Sequence, residues 1–198
     1  MDKIEQIIRE FPFQIILGSA SPRRQELLKS LGFDFLNKPV KVDETNWPKD
    51  LEAQEIPLYL AELKADAYED ELKEDELLIT ADTIVWCEGK VFNKPENFAE
   101  AKKMLQTLSG KMHEVFTAVC LKGANKQTTF YDVSKVYFKK LKDEEIEYYL
   151  TNYSPYDKAG SYGVQDWIGY IGIDRIEGSF YNVMGLPVKD LYEELIKF

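Results

Sequence analysis

The sequence holds one histidine and two cysteines among 198 residues. Cys87 and Cys120 both lie in apolar runs and show no metal-ligand spacing, so they read as buried free thiols of a reducing compartment. Cationic residues are also few, with 25 Lys and Arg against 35 Asp and Glu and a net charge of −10. That balance argues against non-specific binding to nucleic acid or anionic membranes, and any local cluster of cations then calls for an explanation. No apolar run approaches membrane-spanning length. The opening "MDKIEQIIREFPF" carries acidic residues and lacks an uninterrupted apolar core, so it does not read as a signal peptide. Repeats, low-complexity tracts and evident linkers are missing as well. What remains is a chain with 44% hydrophobic content, enough for one large domain or two small lobes, expected to be soluble and cytoplasmic.

Ile4, Ile7 and Ile8 predict a short amphipathic helix over 2–10. "QIILGS" reads as a buried strand feeding a helix that Ser21 caps and Pro22 opens, with Leu27, Leu28 and Leu31 on one face and Gly32 as its stop. "FDFLNKPV" predicts a second strand, "VDETNWPKD" a polar loop, and 57–68 a helix. "ELLITADTIVWCEGKVFNKP" reads as a hairpin turning near Glu88 and Gly89, followed by a helix over 97–108. Two further strands flank a turn at 123–126, and Asp143 caps a helix to Leu150. "SPYDKAGSYGVQDWIGYIGIDRIEGS" reads as a glycine-rich loop ending in a strand, and "GLPVKDLYEELIKF" as a closing helix. Hairpins mixed with helix-separated strands predict an α/β fold with a mixed sheet.

Three segments carry candidate chemistry. In "GSASPRRQELL" the arginines 23 and 24 occupy a first helical turn, where acidic residues normally sit. A strand, tight loop and helix N-terminus together form an anion site, to which Ser19, Ser21, Arg23 and Arg24 add donors suited to phosphate oxygens. The same residues also suit a plain Ser-Pro cap whose arginines face solvent or pair with Glu26. In "TADTIV", Asp82 intrudes on an apolar strand, as an acid holding a metal or activating water would; it also suits a sheet-edge Asp satisfied by Thr80 or Thr83. In "DKAGSYGVQ", Gly160 and Gly163 permit close backbone approach while Lys158 and Gln165 offer charge and an amide. Alone, that segment reads as a surface loop. His113 fits a structural contact better than a catalytic base, and Trp167, Tyr170 and the tyrosines of "EIEYYL" fit packing.

Together these pieces resemble the Maf-like nucleoside triphosphate pyrophosphatases, from "ILGSASPRRQELL" through "ITADTIV", "NKP" and "DKAGSYGVQ" to "GLPV". Gly18 departs from the alanine common in that family and is expected to be harmless. The resemblance implies an α/β fold with a mixed twisted sheet and flanking helices, in two lobes around a central cleft (the Maf/ITPase-like arrangement), with 1–198 as a single domain. It implies hydrolysis between the α and β phosphates with a divalent metal, Mg²⁺ or Mn²⁺. By motif match, Ser19, Ser21, Arg23 and Arg24 become triphosphate contacts, and Asp82 a general base or metal-linked acid. Glu44 in "VDETNW" becomes a second acid and metal ligand, its flanks matching loosely, with Asp43 beside it. Lys64, Lys94 and Lys158 lie near phosphates, Lys94 among the catalytic residues. Arg24, Thr83 and Gln165 resemble the determinants of the branch acting on dTTP and UTP. A nucleoside triphosphate is thus the expected partner, with neither nucleic acid nor membrane, in a chain that such relatives often pair as a homodimer. A regulator of division that senses nucleotide without turnover is the alternative.

Overall fold

The computed structural model describes residues 3–198; Asp2 and the side chain of Ile4, read into the first helix, lie outside the described residues. Helix α1 (Lys3–Arg9) precedes strand β1 (Gln14–Leu17), helix α2 (Pro22–Ser30) and strand β2 (Phe35–Asn37). Helix α3 (Glu55–Asp66), strands β3 (Glu76–Cys87) and β4 (Lys90–Phe92), and helix α4 (Phe98–Leu108) follow. Then come β5 (Met112–Lys122), β6 (Gln127–Phe138), α5 (Asp143–Tyr153), a 3₁₀ turn (Ala159–Ser161) and α6 (Trp167–Gly172). The chain closes with β7 (Ile173–Glu177), α7 (Phe180–Met184) and α8 (Val188–Leu195).

The strands form one seven-stranded sheet in the order β2-β1-β3-β5-β6-β7, with β4 paired to β3. It is mixed as expected: β1 runs parallel to β2 and β3, whereas β3–β4 and β6–β7 are antiparallel. The β3–β4 hairpin turns on Glu88 and Gly89, both at positive φ (50° and 76°), the geometry that a two-residue hairpin loop favours.

Several expected elements need correction. The second strand is only three residues long, and α3 starts two residues before Pro57, which its first turn tolerates. Lys142 rather than Asp143 precedes α5, with the Glu145 carboxylate accepting from the Lys142 N–H at 2.9 Å. Helix α6 falls inside the segment expected to pass from loop to strand, because "WIGYIG" mixes glycine with β-branched residues, and α7 occupies "FYNVM", little more than one turn long, for which no element is expected. Tyr170 is 76% exposed, so it does not pack as its aromatic neighbours do.

The chain divides into two compact units. The first comprises residues 1–82, 117–131 and 185–198; the second comprises 83–116 and 132–184. The core of the first includes Ile16, Ala61, Ala65, Leu78, Ala118 and Cys120. That of the second gathers Val85, Leu105, Val136, Phe138, Tyr149 and Ile168 around Cys87. Both cysteines are buried free thiols.

Gly18 ends β1 against β3. A Cβ there would come within 2.8 Å of Thr80 Cγ2 and 3.3 Å of Leu78 Cδ1 and Val40 Cγ2. Thr80 cannot rotate away freely, since its hydroxyl donates to the Ala61 carbonyl at 2.6 Å. The glycine therefore fits a tight place, in keeping with the expectation that it does no harm where relatives carry alanine.

His113 is a structural residue of the second unit. It is 1% exposed, its Nε2 lies 2.7 Å from the Tyr162 hydroxyl, and Phe138 meets its ring edge-on at 5.0 Å. Burial lowers its pKa from 6.5 to about 3. The unfolded chain then binds the proton first, so stability falls as pH drops from 6.5 towards about 3, by up to about 1.4 kcal/mol per pH unit. Urea midpoints measured through that range should show this slope, and His113→Phe should flatten it.

Candidate active site

β1 delivers the chain through Gly18 and Ser19 to the N-terminus of α2. Ser21 caps that helix, its hydroxyl accepting from the Arg24 N–H at 3.5 Å, and Pro22 takes the first position. The buried Ser19 hydroxyl accepts from the Ser21 N–H at 3.2 Å and from Arg24 Nη1 at 3.4 Å. No acid occupies the first turn.

Arg24 does not lean into solvent or turn to Glu26. Its Nε donates to the Gly185 carbonyl at 2.8 Å and its Nη1 to the Ala81 carbonyl at 2.9 Å. Burial lowers its pKa, while Asp82 and Glu44 act in the opposite direction and favour the charged guanidinium. Arg23, half-buried on the same turn, adds a second positive charge beside it. Two carbonyl oxygens and two carboxylates thus compensate the buried guanidinium at the α2 N-terminus.

Those carboxylates meet on one ammonium. Lys64, 4% exposed on α3, places Nζ 2.7 Å from Asp82 Oδ1 and 2.7 Å from Glu44 Oε1, and 3.3 Å from the Ala81 carbonyl. Asp82 is 6% exposed in β3. Burial raises its pKa above the ordinary carboxylate value, with Lys64 and Arg24 pulling against that rise. It pairs with Lys64, while the Thr80 hydroxyl donates to the Ala61 carbonyl. Glu44, read from a loosely matching loop, joins it, whereas Asp43 turns away: its Oδ1 accepts from the Thr45 hydroxyl and N–H at 2.6 and 2.9 Å and shapes the loop. Ser19, Ser21, Arg23, Arg24, Glu44, Lys64 and Asp82 all belong to the first unit.

Thr83, Lys94, Lys158 and Gln165 belong to the second. Thr83 is half-buried one step along β3 from Asp82, and Lys94 is exposed in the loop after β4. That loop is tied to the glycine-rich segment by the Gly160 N–H, which donates to the Asn93 carbonyl at 3.2 Å. Gly160 has φ 69°, and a Cβ there would press on Val85 at 3.0–3.3 Å. Lys158 pairs with Asp157 at 2.8 Å and reaches Asp166 at 3.7 Å. Gln165 is half-buried, with its Oε1 buried and lacking a hydrogen-bond partner among the described residues. Sequence reasoning missed Tyr149 and Asp166, which shape this loop; a tyrosine in "EIEYYL" carries no sign of its distant partner.

Among the described residues no three His, Cys, Asp or Glu side chains converge as a metal centre. Glu44 and Asp82 are the acidic pair that does meet. No described helix is long and apolar enough to cross a membrane.

Curated relatives match most of the chain. A dTTP/UTP pyrophosphatase of Bacteroides thetaiotaomicron is 54% identical over 185 residues, 93% of this chain and 96% of that protein. Proteins of the same description from Parabacteroides distasonis and Flavobacterium johnsoniae are 52% and 50% identical, over 94% and 92% of this chain and 96% and 94% of their own. Among solved structures, the Staphylococcus aureus Ham1 protein aligns with a TM-score of 0.43 and 13% identity, over 63% of this chain and 71% of its own. The family model for Maf-like protein matches residues 14–198, and with relatives above 50% identity over nearly the whole length the chain belongs to the Maf-like protein family.

Proposed function

We propose that this chain is a nucleoside triphosphate pyrophosphatase acting on dTTP and UTP. Water attacks the α-phosphorus, the bond to the bridging oxygen breaks, and the monophosphate and pyrophosphate leave. The observation that carries this reading is the buried Asp82–Lys64 pair with the half-exposed Glu44 on the same ammonium, joined through Ala81 and Arg24 to a helix N-terminus without acidic residues. The names of the relatives support it.

Each part has a role in that reaction. The α2 N–H groups with Ser19, Ser21, Arg23 and Arg24 bind phosphate oxygens, and Lys94 and Lys158 of the second unit are phosphate contacts by motif match alone. Asp82, with its pKa raised by burial, takes the proton from the attacking water. Glu44 and Asp82, hard oxygen donors that both meet Lys64 Nζ at 2.7 Å, are the residues that would hold a divalent cation. When bound, Mg²⁺ or Mn²⁺ supplies charge neutralisation and an acidified water. Thr83 and Gln165 face base selection. An amide oxygen at Gln165 would be an acceptor, which N3–H of uracil or thymine satisfies and N3 of cytosine does not.

The test is release of pyrophosphate from a nucleotide panel, with and without chelator. Pyrophosphate should appear from dTTP and UTP, far less from CTP and purine triphosphates. Chelator should abolish the activity and Mg²⁺ or Mn²⁺ restore it. Binding without pyrophosphate would establish a sensor instead, and orthophosphate a phosphomonoesterase.

A further inference from the structure

The segment that carries Gln165 is held from beneath by a group outside the phosphate and base chemistry described so far. Tyr149 lies on α5 and is completely buried. Its hydroxyl donates to Asp166 Oδ2 at 2.7 Å and accepts from the Gly163 N–H at 3.0 Å. Asp166 N–H in turn donates to the Gly163 carbonyl at 3.0 Å, closing a turn over 163–166. One phenol therefore grips both ends of the four-residue turn, and Gln165 sits between them.

Other contacts make that grip specific. A Cβ on Gly163 would fall on the Asp166 carboxylate, and a Cβ on Gly169 would fall on the Val164 carbonyl, so the backbone is packed to contact on both sides. The Asp166 carbonyl accepts from the Gly169 and Tyr170 N–H groups at 2.9 and 3.3 Å, anchoring the turn to α6. Burial and the adjacent Asp166 raise the Tyr149 pKa, so the phenol keeps the proton it donates. Ring stacking on Tyr153, with centroids 5.3 Å apart, steadies it from the other face.

We infer that Tyr149 is a positioning residue for base selection, whose hydroxyl holds the 163–166 turn so that the Gln165 amide has one orientation. The inference rests on the reading that Gln165 reads the base. A fixed amide distinguishes uracil from cytosine, because the donor and acceptor edges of the two bases are reversed. An amide free to flip accepts both. Without the phenol hydroxyl the Gly163 N–H and the Asp166 carboxylate each lose a partner, and the turn gains the freedom that erases discrimination.

The test compares kcat/KM for UTP and CTP in wild type, Tyr149→Phe, Gln165→Ala and the double variant. Contacts to the phosphates are common to both nucleotides and cancel in the ratio. Gln165→Ala should narrow the UTP-to-CTP ratio. Tyr149→Phe should narrow it by roughly tenfold, the scale of one buried hydrogen bond, and should add nothing in the Gln165→Ala background. If Gln165→Ala narrows the ratio and Tyr149→Phe slows both nucleotides alike, Tyr149 is merely structural and this inference falls alone. If Gln165→Ala leaves the ratio unchanged, the base is read elsewhere, and the inference falls with that reading. A second pair guards against misfolding of Tyr149→Phe. Asp166→Ala removes the same bond from its half-buried end and should narrow the ratio, while Asp166→Asn retains an acceptor and should preserve it. Equal ratios in those two variants would also overturn the inference.

Discussion

Replacing Asp82 by Asn should lower kcat by roughly 10² to 10⁴ while changing nucleotide binding far less. The amide is nearly isosteric with the carboxylate and can still accept from Lys64 through its oxygen, so the strand and the cluster keep their shape. It cannot take a proton from water, and it is a poor ligand for a divalent cation. Both losses fall on the chemical step. Asp82 suits this role because it is 6% exposed and its pKa is raised by burial, whereas Glu44 is more open to solvent, with 35% of its side chain exposed. Single-turnover pyrophosphate release together with equilibrium binding of UTP separates the two quantities. Near wild-type turnover in Asp82→Asn would transfer the base role to Glu44.

Replacing Lys64 by Met should produce the largest loss of stability at the site, about 3–5 kcal/mol, because two carboxylates then share a buried space without their common cation. Arg24 lessens the cost without removing it, since its guanidinium is committed to the Ala81 and Gly185 carbonyls. The deficit should shrink as pH falls, for protonation of Asp82 relieves the repulsion; an acid with a raised folded pKa favours the folded state below that pKa. Added Mg²⁺ should also recover part of the loss. Urea unfolding of wild type and variant at a series of pH values, with and without Mg²⁺, measures all three effects. An unchanged midpoint would show that the ion cluster contributes nothing to folding. For Arg24→Ala, removing the charge relieves repulsion with the helix dipole, but it also strands the Ala81 and Gly185 carbonyls, so no net gain in stability follows.

Local signals in the sequence reached part of this site. Ser21, Pro22 and Gly32 mark α2 because capping, the first-turn proline and the positive-φ stop are properties of neighbouring residues. Asp82 stood out because a carboxylate interrupts an apolar strand. The mixed sheet followed from the alternation of hairpins and helices. Partners distant in sequence were beyond such signals. Nothing around Lys64 announces that its ammonium lies against both Glu44 and Asp82, and Gly185 is 161 residues from the guanidinium it accepts from. Tyr149 looked like a packing tyrosine because its ring does pack; only the fold brings its hydroxyl to Gly163 and Asp166. Helix α6 escaped because its glycines are chosen for close backbone contact and not for helix propensity.

The two thiols have a use that their silence in the chemistry conceals. Cys120 belongs to the first unit and Cys87 to the second, and each is at most 3% exposed. Burial raises the pKa of both, that of Cys120 to about 11, so a thiol reagent finds neither accessibility nor thiolate in the closed protein. Alkylation must wait for the surrounding core to part. The molecule therefore carries one intrinsic clock in each unit. Peptide-resolved labelling rates at Cys87 and Cys120 report the opening free energy of each core separately, and nucleotide that binds only the closed form slows whichever clock its contacts hold shut.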